Sequence, residues 1–209
     1  VGRVAELADL QQVFRQGFRL LTMVGPGGTG KTRLATQFAG QLVSHFRAAV
    51  EGEKRGGVWF VDLTDALDVE SICAQVAQAL SVPLSPGNPV VQMSHVIASR
   101  GDVLLVLDSF EQVAGHAEAT VGAWLAAAPG VRFVVTSREH LKIPGESVFE
   151  VHPLRVPERQ EDVRKAESVQ LFVERARAAR RGEQLTAGDE AAVAELVRQL
   201  DGMPLAIEL

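Results

Sequence analysis

The sequence is poor in cysteine, has no surplus of positive charge and contains no long apolar run. Its single cysteine, Cys73, excludes an internal disulfide and any metal cluster built on cysteines, as expected in a reducing compartment. The longest apolar runs, such as residues 103–107, fall far short of the roughly 18 residues that a membrane span requires. With 21 basic and 26 acidic side chains, the formal charge of -5 offers no attraction to a nucleic acid or an anionic membrane. We therefore expect a cytoplasmic protein that binds neither directly.

Apart from these absences, the composition is that of a globular chain, with 209 residues of which 46% are hydrophobic. Short β-branched runs alternate with helical periodicity, which indicates a mainly parallel sheet covered by helices. Strands are predicted at residues 18–24, 58–63, 103–107, 131–136 and 147–151. Helices are predicted at 31–46, 69–80, 90–99 and 117–127, and then, after the strand signals stop, at 166–181, 187–200 and from about 204. The pattern therefore predicts an α/β domain followed by the start of a helical subdomain.

A glycine-rich segment lies between the first strand and the first of these helices. Residues 25–32 read Gly-Pro-Gly-Gly-Thr-Gly-Lys-Thr, which fits the phosphate-loop pattern G-x-x-x-x-G-K-[ST]. Its glycines permit backbone angles that turn consecutive N–H groups toward an anion at the positive end of the helix. Lys31 is expected to bridge the β- and γ-phosphates, and the Thr32 hydroxyl to ligate Mg²⁺.

A second chemical signal ends the buried strand at residues 103–107. Asp108 follows this strand directly, as in the Walker B pattern, and its carboxylate is the expected partner of Thr32 in holding Mg²⁺. Many P-loop ATPases carry a catalytic Glu next to this Asp, but here the neighbour is Ser109 and the nearest acid is Glu111. Glu111 is therefore either the base that orients the attacking water or an exposed residue at a helix start.

The strand at 131–136 delivers Thr136, Ser137 and Arg138 to the same edge of the sheet, where ligands of open α/β folds bind. The guanidinium of Arg138 is able to reach the γ-phosphate and to distinguish ATP from ADP. A surface arginine is the alternative interpretation.

Five segments, taken in chain order, resemble the STAND class of signal-transducing NTPases, and within it the NB-ARC-type domains of large bacterial regulators and predicted ATPases. They are Val1-Gly2-Arg3 with Glu6, residues 25–32, residues 104–111, residues 136–138, and residues 202–208 beginning Gly-Met-Pro-Leu. The likeness spans the whole chain, with Met203 in a position where the family usually has Leu.

The resemblance implies a P-loop NTPase three-layer sandwich with a five-stranded, mainly parallel sheet, in which the strand ending at Arg138 lies between the Walker A and Walker B strands. It implies that Arg138 senses the γ-phosphate, that Val1, Gly2 and Arg3 lie on the adenine side, and that Pro204 presses on the base. The chain would divide into a nucleotide-binding domain at 1–151 and a truncated, ARC1-like helical subdomain at 152–209. The residues expected to bind the nucleotide are Val1, Gly2, Arg3, Gly25, Gly27, Gly28, Thr29, Gly30, Lys31, Thr32, Arg33 and Pro204; those expected to be catalytic are Lys31, Asp108, Glu111 and Arg138; and Thr32 and Asp108 are the expected metal ligands.

The leading hypothesis is a switch module that holds Mg-ATP or Mg-ADP and hydrolyses ATP slowly. Its expected partners are fused sensor and effector domains outside this chain, together with further copies of the protein after activation. The alternatives are a stand-alone P-loop ATPase or small-molecule kinase, and a domain that kept the fold without the nucleotide. The sequence contains neither the Asn-Lys-x-Asp loop of GTPases nor the Ser-Gly-Gly-Gln signature of ABC-type ATPases.

Overall fold

The computed structural model describes residues 2–46, 56–179 and 189–209. The strands are β1 Leu20–Val24, β2 Gly57–Asp62, β3 Val103–Asp108, β4 Val131–Ser137 and β5 Glu146–Glu150. The helices are α1 Val4–Arg15, α2 Lys31–Gln41, α3 Val43–Phe46, α4 Val69–Ala79, α5 Pro89–Ser99, α6 Ala123–Ala127, α7 Glu167–Ala179, α8 Asp189–Gln199 and α9 Pro204–Glu208. Short 3₁₀ segments occupy Phe110–His116 and Gln160–Lys165, and a π-helical turn occupies Glu118–Gly122.

The five strands form one sheet in the order β2-β3-β4-β1-β5, with parallel pairing at every junction. Strand β4 thus lies between β1 and β3, and the predicted α/β fold is confirmed. Because all strands run in the same direction, their carboxyl ends meet at one edge, which carries the ends of β1, β3 and β4. This edge is where the sequence placed its chemical residues.

Apolar side chains on the central strands explain why they form the middle of the sheet. All six residues of β3 are buried, and those of β4 are buried except Arg132. Trp124 of α6 is fully buried and stacks on Phe133 of β4, with ring centroids 6.1 Å apart. A strand that is buried on both faces consists almost entirely of apolar residues. For this reason β3 and β4 could be predicted from the sequence.

Three helical predictions need correction. The prediction missed α1, whose residues Leu7 and Leu10 are buried. The single helix predicted at 31–46 is two, because the chain turns between α2 and α3 at Leu42. The helix predicted at 117–127 becomes α-helical only at Ala123, after the π-helical turn. The ends predicted at 180–181 and 187–188 lie outside the described residues.

Other helix starts follow from local capping. Asp68 and Ser71 form a reciprocal capping box before α4, in which each side chain satisfies a backbone N–H of the other. Asn88, the one asparagine of the sequence, caps α5 and is followed by Pro89 in the first helical position. In the part of the chain that the structure describes, no helix is both long enough and apolar enough to span a bilayer.

The chain divides into two compact units. The larger comprises Asp9–Gly25 and Lys31–Glu150 and contains the sheet, while the smaller comprises Val1–Ala8, Pro26–Gly30 and Val151–Leu209. The smaller unit has an apolar core of its own, to which the connector and helices contribute Leu154, Val163, Ala166, Val169, Leu171, Val193, Ala194, Val197 and Ile207. The domain boundary predicted after residue 151 stays a prediction, since compactness alone does not establish independent folding.

Gly202 occupies a position in the smaller unit that has no room for a side chain. It has φ +62°, its N–H donates to the Val197 carbonyl, and a Cβ added there would lie 2.1 Å from the Leu154 carbonyl oxygen. We expect Gly202→Ala to lower the free energy of unfolding by more than about 2 kcal/mol, since backbone strain and a steric clash add. Urea unfolding measures this. Gly40→Ala in α2, where a Cβ meets nothing within 4 Å, is the control and is expected to be neutral or stabilising. Equal unfolding curves for the two variants would contradict the packing at Gly202.

The burial of Cys73 determines how reactive its thiol is. It is fully buried in α4, and burial, helped by the negative charge of Glu70, raises the pKa of its thiol to about 11. A raised thiol pKa lowers the thiolate fraction at every pH below that value, and the thiolate is the reactive form. We expect an aromatic disulfide reagent at pH 8 to leave Cys73 unmodified in the native protein and to label it on unfolding in urea. Rapid labelling without denaturant would show that this thiol is accessible.

Candidate functional site

The phosphate loop begins where β1 ends. Gly25 N–H donates to the Ser137 carbonyl at the end of β4, 3.3 Å away, and α2 begins at Lys31. Between them Gly28 and Gly30 adopt φ of +81° and +86°, values that other residues rarely adopt. These two glycines therefore make the turn that brings the chain into the amino end of α2, where backbone N–H groups favour an anion.

Lys31 lies buried at the start of α2. Its ammonium group donates a hydrogen bond to the Gly25 carbonyl oxygen at 2.8 Å. Burial lowers the pKa of Lys31; the Arg138 charge acts in the same direction, while the Glu111 and Asp108 carboxylates raise it. The balance leaves a buried cation among two carboxylates and a guanidinium. A multiply charged anion bound beside Lys31 would stabilise the charged form of its ammonium group.

Asp108 connects three elements of the larger unit. Its Oδ2 accepts a hydrogen bond from the Thr32 hydroxyl of α2 at 3.0 Å, and its Oδ1 accepts one from the Thr136 hydroxyl of β4 at 2.5 Å. The Thr136 oxygen in turn accepts from the N–H of Ser109 at 3.0 Å. The structure thus brings together the two predicted metal ligands, Thr32 and Asp108.

Thr136, predicted at the sheet edge from its position after an apolar strand, is a further member of this cluster. Its position indicated a place near Asp108, because Thr136 lies near the end of β4, which pairs with β3. A threonine in a strand is ordinarily explained by β-propensity, so only the sheet order reveals its contact with Asp108.

Glu111 and Arg138 form the outer part of the same cluster. Glu111 Oε1 lies 3.1 Å from Arg138 Nε, and the side chains are 23% and 65% exposed, respectively. The second carboxylate oxygen of Glu111 is buried and has no hydrogen-bond partner among the described residues. Glu111 thus lies in the first turn of the 3₁₀ segment but is only partly exposed, and its role as a base stays a prediction, whereas Arg138 is both exposed and paired at the site.

Ser109 explains how Glu111 reaches this position. Ser109 has left-handed backbone angles of φ 61° and ψ 43°, and the 3₁₀ segment starts with the next residue. Phe110 is fully buried in the core, and Glu111 follows at the sheet edge. A left-handed residue that is not glycine costs of order 1 kcal/mol, and such strain is concentrated at functional sites.

The middle of the phosphate loop packs within the smaller unit. Leu205 N–H donates to the Gly28 carbonyl at 3.2 Å, and the buried Thr29 hydroxyl donates to the Pro26 carbonyl at 2.9 Å. Pro204 is the first residue of α9, and its Cγ lies 4.0 Å from a Cβ built on Gly30. Pro204 is thus a neighbour of the loop, and its contact with a base stays a prediction.

The remaining predicted residues differ in setting. Arg3 is buried and bonded to protein oxygen atoms on several sides, and a Cβ on Gly2 would lie 3.2 Å from the Glu167 side chain. Gly27 and Arg33 are exposed. Val1 lies outside the described residues. An adenine-side role for residues 1–3 stays a prediction.

Comparisons with known proteins identify the family. Residues 15–132, more than half of the chain, match the family described as AAA domain. An uncharacterised protein of Mycobacterium tuberculosis is 33% identical over 209 residues, which are all of this chain and 49% of that protein. A second M. tuberculosis protein, whose name assigns it provisionally to the HTH-type transcriptional regulators, is 34% identical over 190 residues, which are 91% of this chain and 20% of that protein. The chain spans about half or less of the length of these curated relatives.

Two solved structures share the fold at low sequence identity. The ORC2 protein of Aeropyrum pernix, in ADPNP and ADP complexes, has a TM-score of 0.55 at 14% identity, covering 94% of this chain and 68% of its own. A STAND protein with a tetratricopeptide repeat sensor from Pyrococcus horikoshii has a TM-score of 0.54 at 17% identity, covering 99% of this chain and 29% of its own. With its phosphate loop, its Asp108 cluster and its match over residues 15–132, the chain belongs to the AAA domain family and is an AAA-type P-loop ATPase domain.

Proposed function

We propose that this domain binds ATP or ADP with Mg²⁺ and acts as a nucleotide-dependent switch within a larger regulatory protein, hydrolysing ATP slowly. The observation that carries the proposal is the ion pair between Glu111 and Arg138, placed beside Lys31 and Asp108. It joins the candidate base to the candidate γ-phosphate sensor, and it can be exchanged for a contact with a ligand.

The residues fit a polyphosphate. Lys31 is a buried cation whose pKa burial has lowered, so its charged form is stabilised when an anion replaces lost solvent. The glycines of the loop and the amino end of α2 provide backbone N–H groups directed at the same anion. Lys31 is the proposed anchor of the β- and γ-phosphates.

The residues also fit Mg²⁺. This ion is usually held by one or two protein oxygen ligands together with substrate phosphates and water, and Thr32 and Asp108 present a hydroxyl and a carboxylate in direct contact. When bound, Mg²⁺ supplies charge neutralisation at the phosphoryl oxygens. Thr136 orients Asp108 by donating to the carboxylate oxygen that Thr32 does not use.

Glu111 and Arg138 provide the two arrangements that a switch requires. With Arg138 mostly exposed, their ion pair contributes only about 0–1 kcal/mol, so a more highly charged partner readily displaces it. A γ-phosphate would draw Arg138 away from Glu111 and leave that carboxylate to accept a proton from water. Its buried Oε2, which has no partner among the residues that the structure describes, supports this role, because a buried carboxylate oxygen is satisfied when a water molecule donates to it.

The relatives support the proposal that this domain is part of a larger regulatory protein. They are two or more times as long as this chain, and one is named as a transcriptional regulator. A structural neighbour is a STAND protein whose title includes a repeat sensor. We infer that fused sensor and effector domains read the state of this site, and that self-association accompanies activation.

The first test of this function is nucleotide binding by calorimetry with Mg²⁺. We expect the unsubstituted protein to bind ATP and ADP, and Lys31→Ala to weaken both by about 100-fold or more, because the buried charge contact is lost. Arg15→Ala, which removes an exposed positive charge at the end of α1, is the control and is expected to bind normally.

Turnover separates the switch from a stand-alone enzyme. A switch needs differential affinity between two states and not rapid catalysis. ATP turnover faster than about 1 per second, with or without an added phosphate acceptor, would contradict the switch and favour an ATPase or kinase.

Arg138 provides a second test. Arg138→Ala is expected to weaken ATP about tenfold more than ADP, because the lost guanidinium would contact a phosphate that only ATP carries. Titrating both nucleotides against the variant and against Arg15→Ala measures the difference. Equal losses for ATP and ADP would remove Arg138 from the sensor role.

A further inference from the structure

Arg3 makes four hydrogen bonds to other residues. Its guanidinium donates from Nη1 to Glu6 Oε1 at 2.7 Å, and from Nη2 to the Thr29 carbonyl at 2.8 Å and to the His152 carbonyl at 2.7 Å. Its own backbone N–H donates to Glu167 Oε1 at 2.8 Å. All these residues belong to the smaller unit. Arg3 thus connects three separate parts of the sequence.

The backbone of Arg3 is strained. Its φ is +63°, in the left-handed region that arginine rarely adopts, and the side chain is nevertheless buried. Strain of about 1–3 kcal/mol persists only where the surroundings enforce it. Here the enforcement comes from the four hydrogen bonds, three of which are made by the guanidinium and hold it in one place.

Its contact with Thr29 fixes a peptide of the phosphate loop. In a trans peptide the carbonyl of one residue and the N–H of the next point in opposite directions. The described chain has no cis peptide, so a Thr29 carbonyl held by Arg3 directs the Gly30 N–H away from Arg3. The Gly28 carbonyl, held by Leu205 N–H, directs the Thr29 N–H in the same manner.

This orientation matters for an anion. A loop that binds phosphate must present N–H groups and turn its carbonyl oxygens outward, since those oxygens repel a negative charge. Gly30, with φ +86°, offers little steric resistance to reorientation of this peptide. A donor outside the loop is therefore required to keep it in the binding orientation.

The contact of Arg3 with His152 couples the phosphate loop to the connector. The nitrogen that holds the Thr29 carbonyl also holds the carbonyl of His152, in the connector that leads from β5 to the helices of the smaller unit. A shift of this connector would move the guanidinium and release the Thr29 carbonyl. The state of the loop is thus linked to the position of the connector.

We propose that Arg3 is a positioning residue that holds the Thr29–Gly30 peptide of the phosphate loop in its anion-binding orientation and ties that orientation to the connector at His152. This rests on the proposed nucleotide binding. It differs from the role that the sequence resemblance implies, in which residues 1–3 serve the adenine.

The experiment uses inorganic tripolyphosphate, which has the phosphates and lacks the base. Calorimetric titrations with Mg-ATP and with Mg-tripolyphosphate are compared for the unsubstituted protein, Arg3→Ala, Arg3→Lys and the control Arg15→Ala. We expect Arg3→Ala to lose about 10- to 100-fold for both ligands, since charged hydrogen bonds to the loop are lost. Arg3→Lys, which cannot donate in two directions from a planar group, is expected to fall between Arg3→Ala and the unsubstituted protein.

The outcomes separate the possible roles. Loss of affinity for ATP with unchanged affinity for tripolyphosphate would overturn the proposal and assign Arg3 to the base. A lower melting temperature with unchanged affinity for both would make Arg3 structural and overturn it as well. If Arg3→Ala fails to fold, Arg3→Lys decides, and normal tripolyphosphate binding by that variant overturns the proposal. An unsubstituted protein that binds neither ligand would overturn the nucleotide function itself and this inference with it.

Discussion

The buried carboxylate of Asp108 is the constraint on which the site depends. A charged group removed from water must be hydrogen-bonded. Here each carboxylate oxygen accepts a hydrogen bond from a threonine hydroxyl, one on α2 and the other on β4. The register that pairs Leu107 with Val135 places Asp108 and Thr136 side by side at the end of their strands. The sheet order thus sets the geometry of the proposed metal site, and α2 is held to it through Thr32.

The second feature is a base candidate displaced by two positions along the chain. Where other P-loop ATPases have a glutamate directly after the aspartate, this chain has Ser109 in a left-handed conformation, and its N–H is used by Thr136. Glu111 is consequently paired with Arg138 and not aligned by the strand itself. A candidate base that must leave an ion pair before it acts agrees with the slow turnover and the control by the ligand that we propose.

The middle of the phosphate loop, residues 26–30, belongs to the smaller unit. Within that unit Arg3 donates to the Thr29 carbonyl and Leu205 N–H donates to the Gly28 carbonyl. Residues distant in sequence thus set the conformation of a loop whose motif looks self-contained. Changes elsewhere in the smaller unit would therefore reach these loop carbonyls.

The sequence by itself determined most of the elements and the main residues of the candidate site. Buried strands such as β3 were visible as apolar runs, and the phosphate loop, Thr32 and Asp108 were visible because their functions require particular residue types at fixed local spacing. Helix α1 and the break at Leu42 were missed, since amphipathic periodicity does not show where packing interrupts it. The tertiary structure alone decided that Thr136 supports Asp108, that Glu111 meets Arg138, and that Arg3 bonds to the loop. Those contacts join residues 26 to 28 positions apart, and local sequence carries no record of which distant side chain or carbonyl will lie within hydrogen-bonding distance.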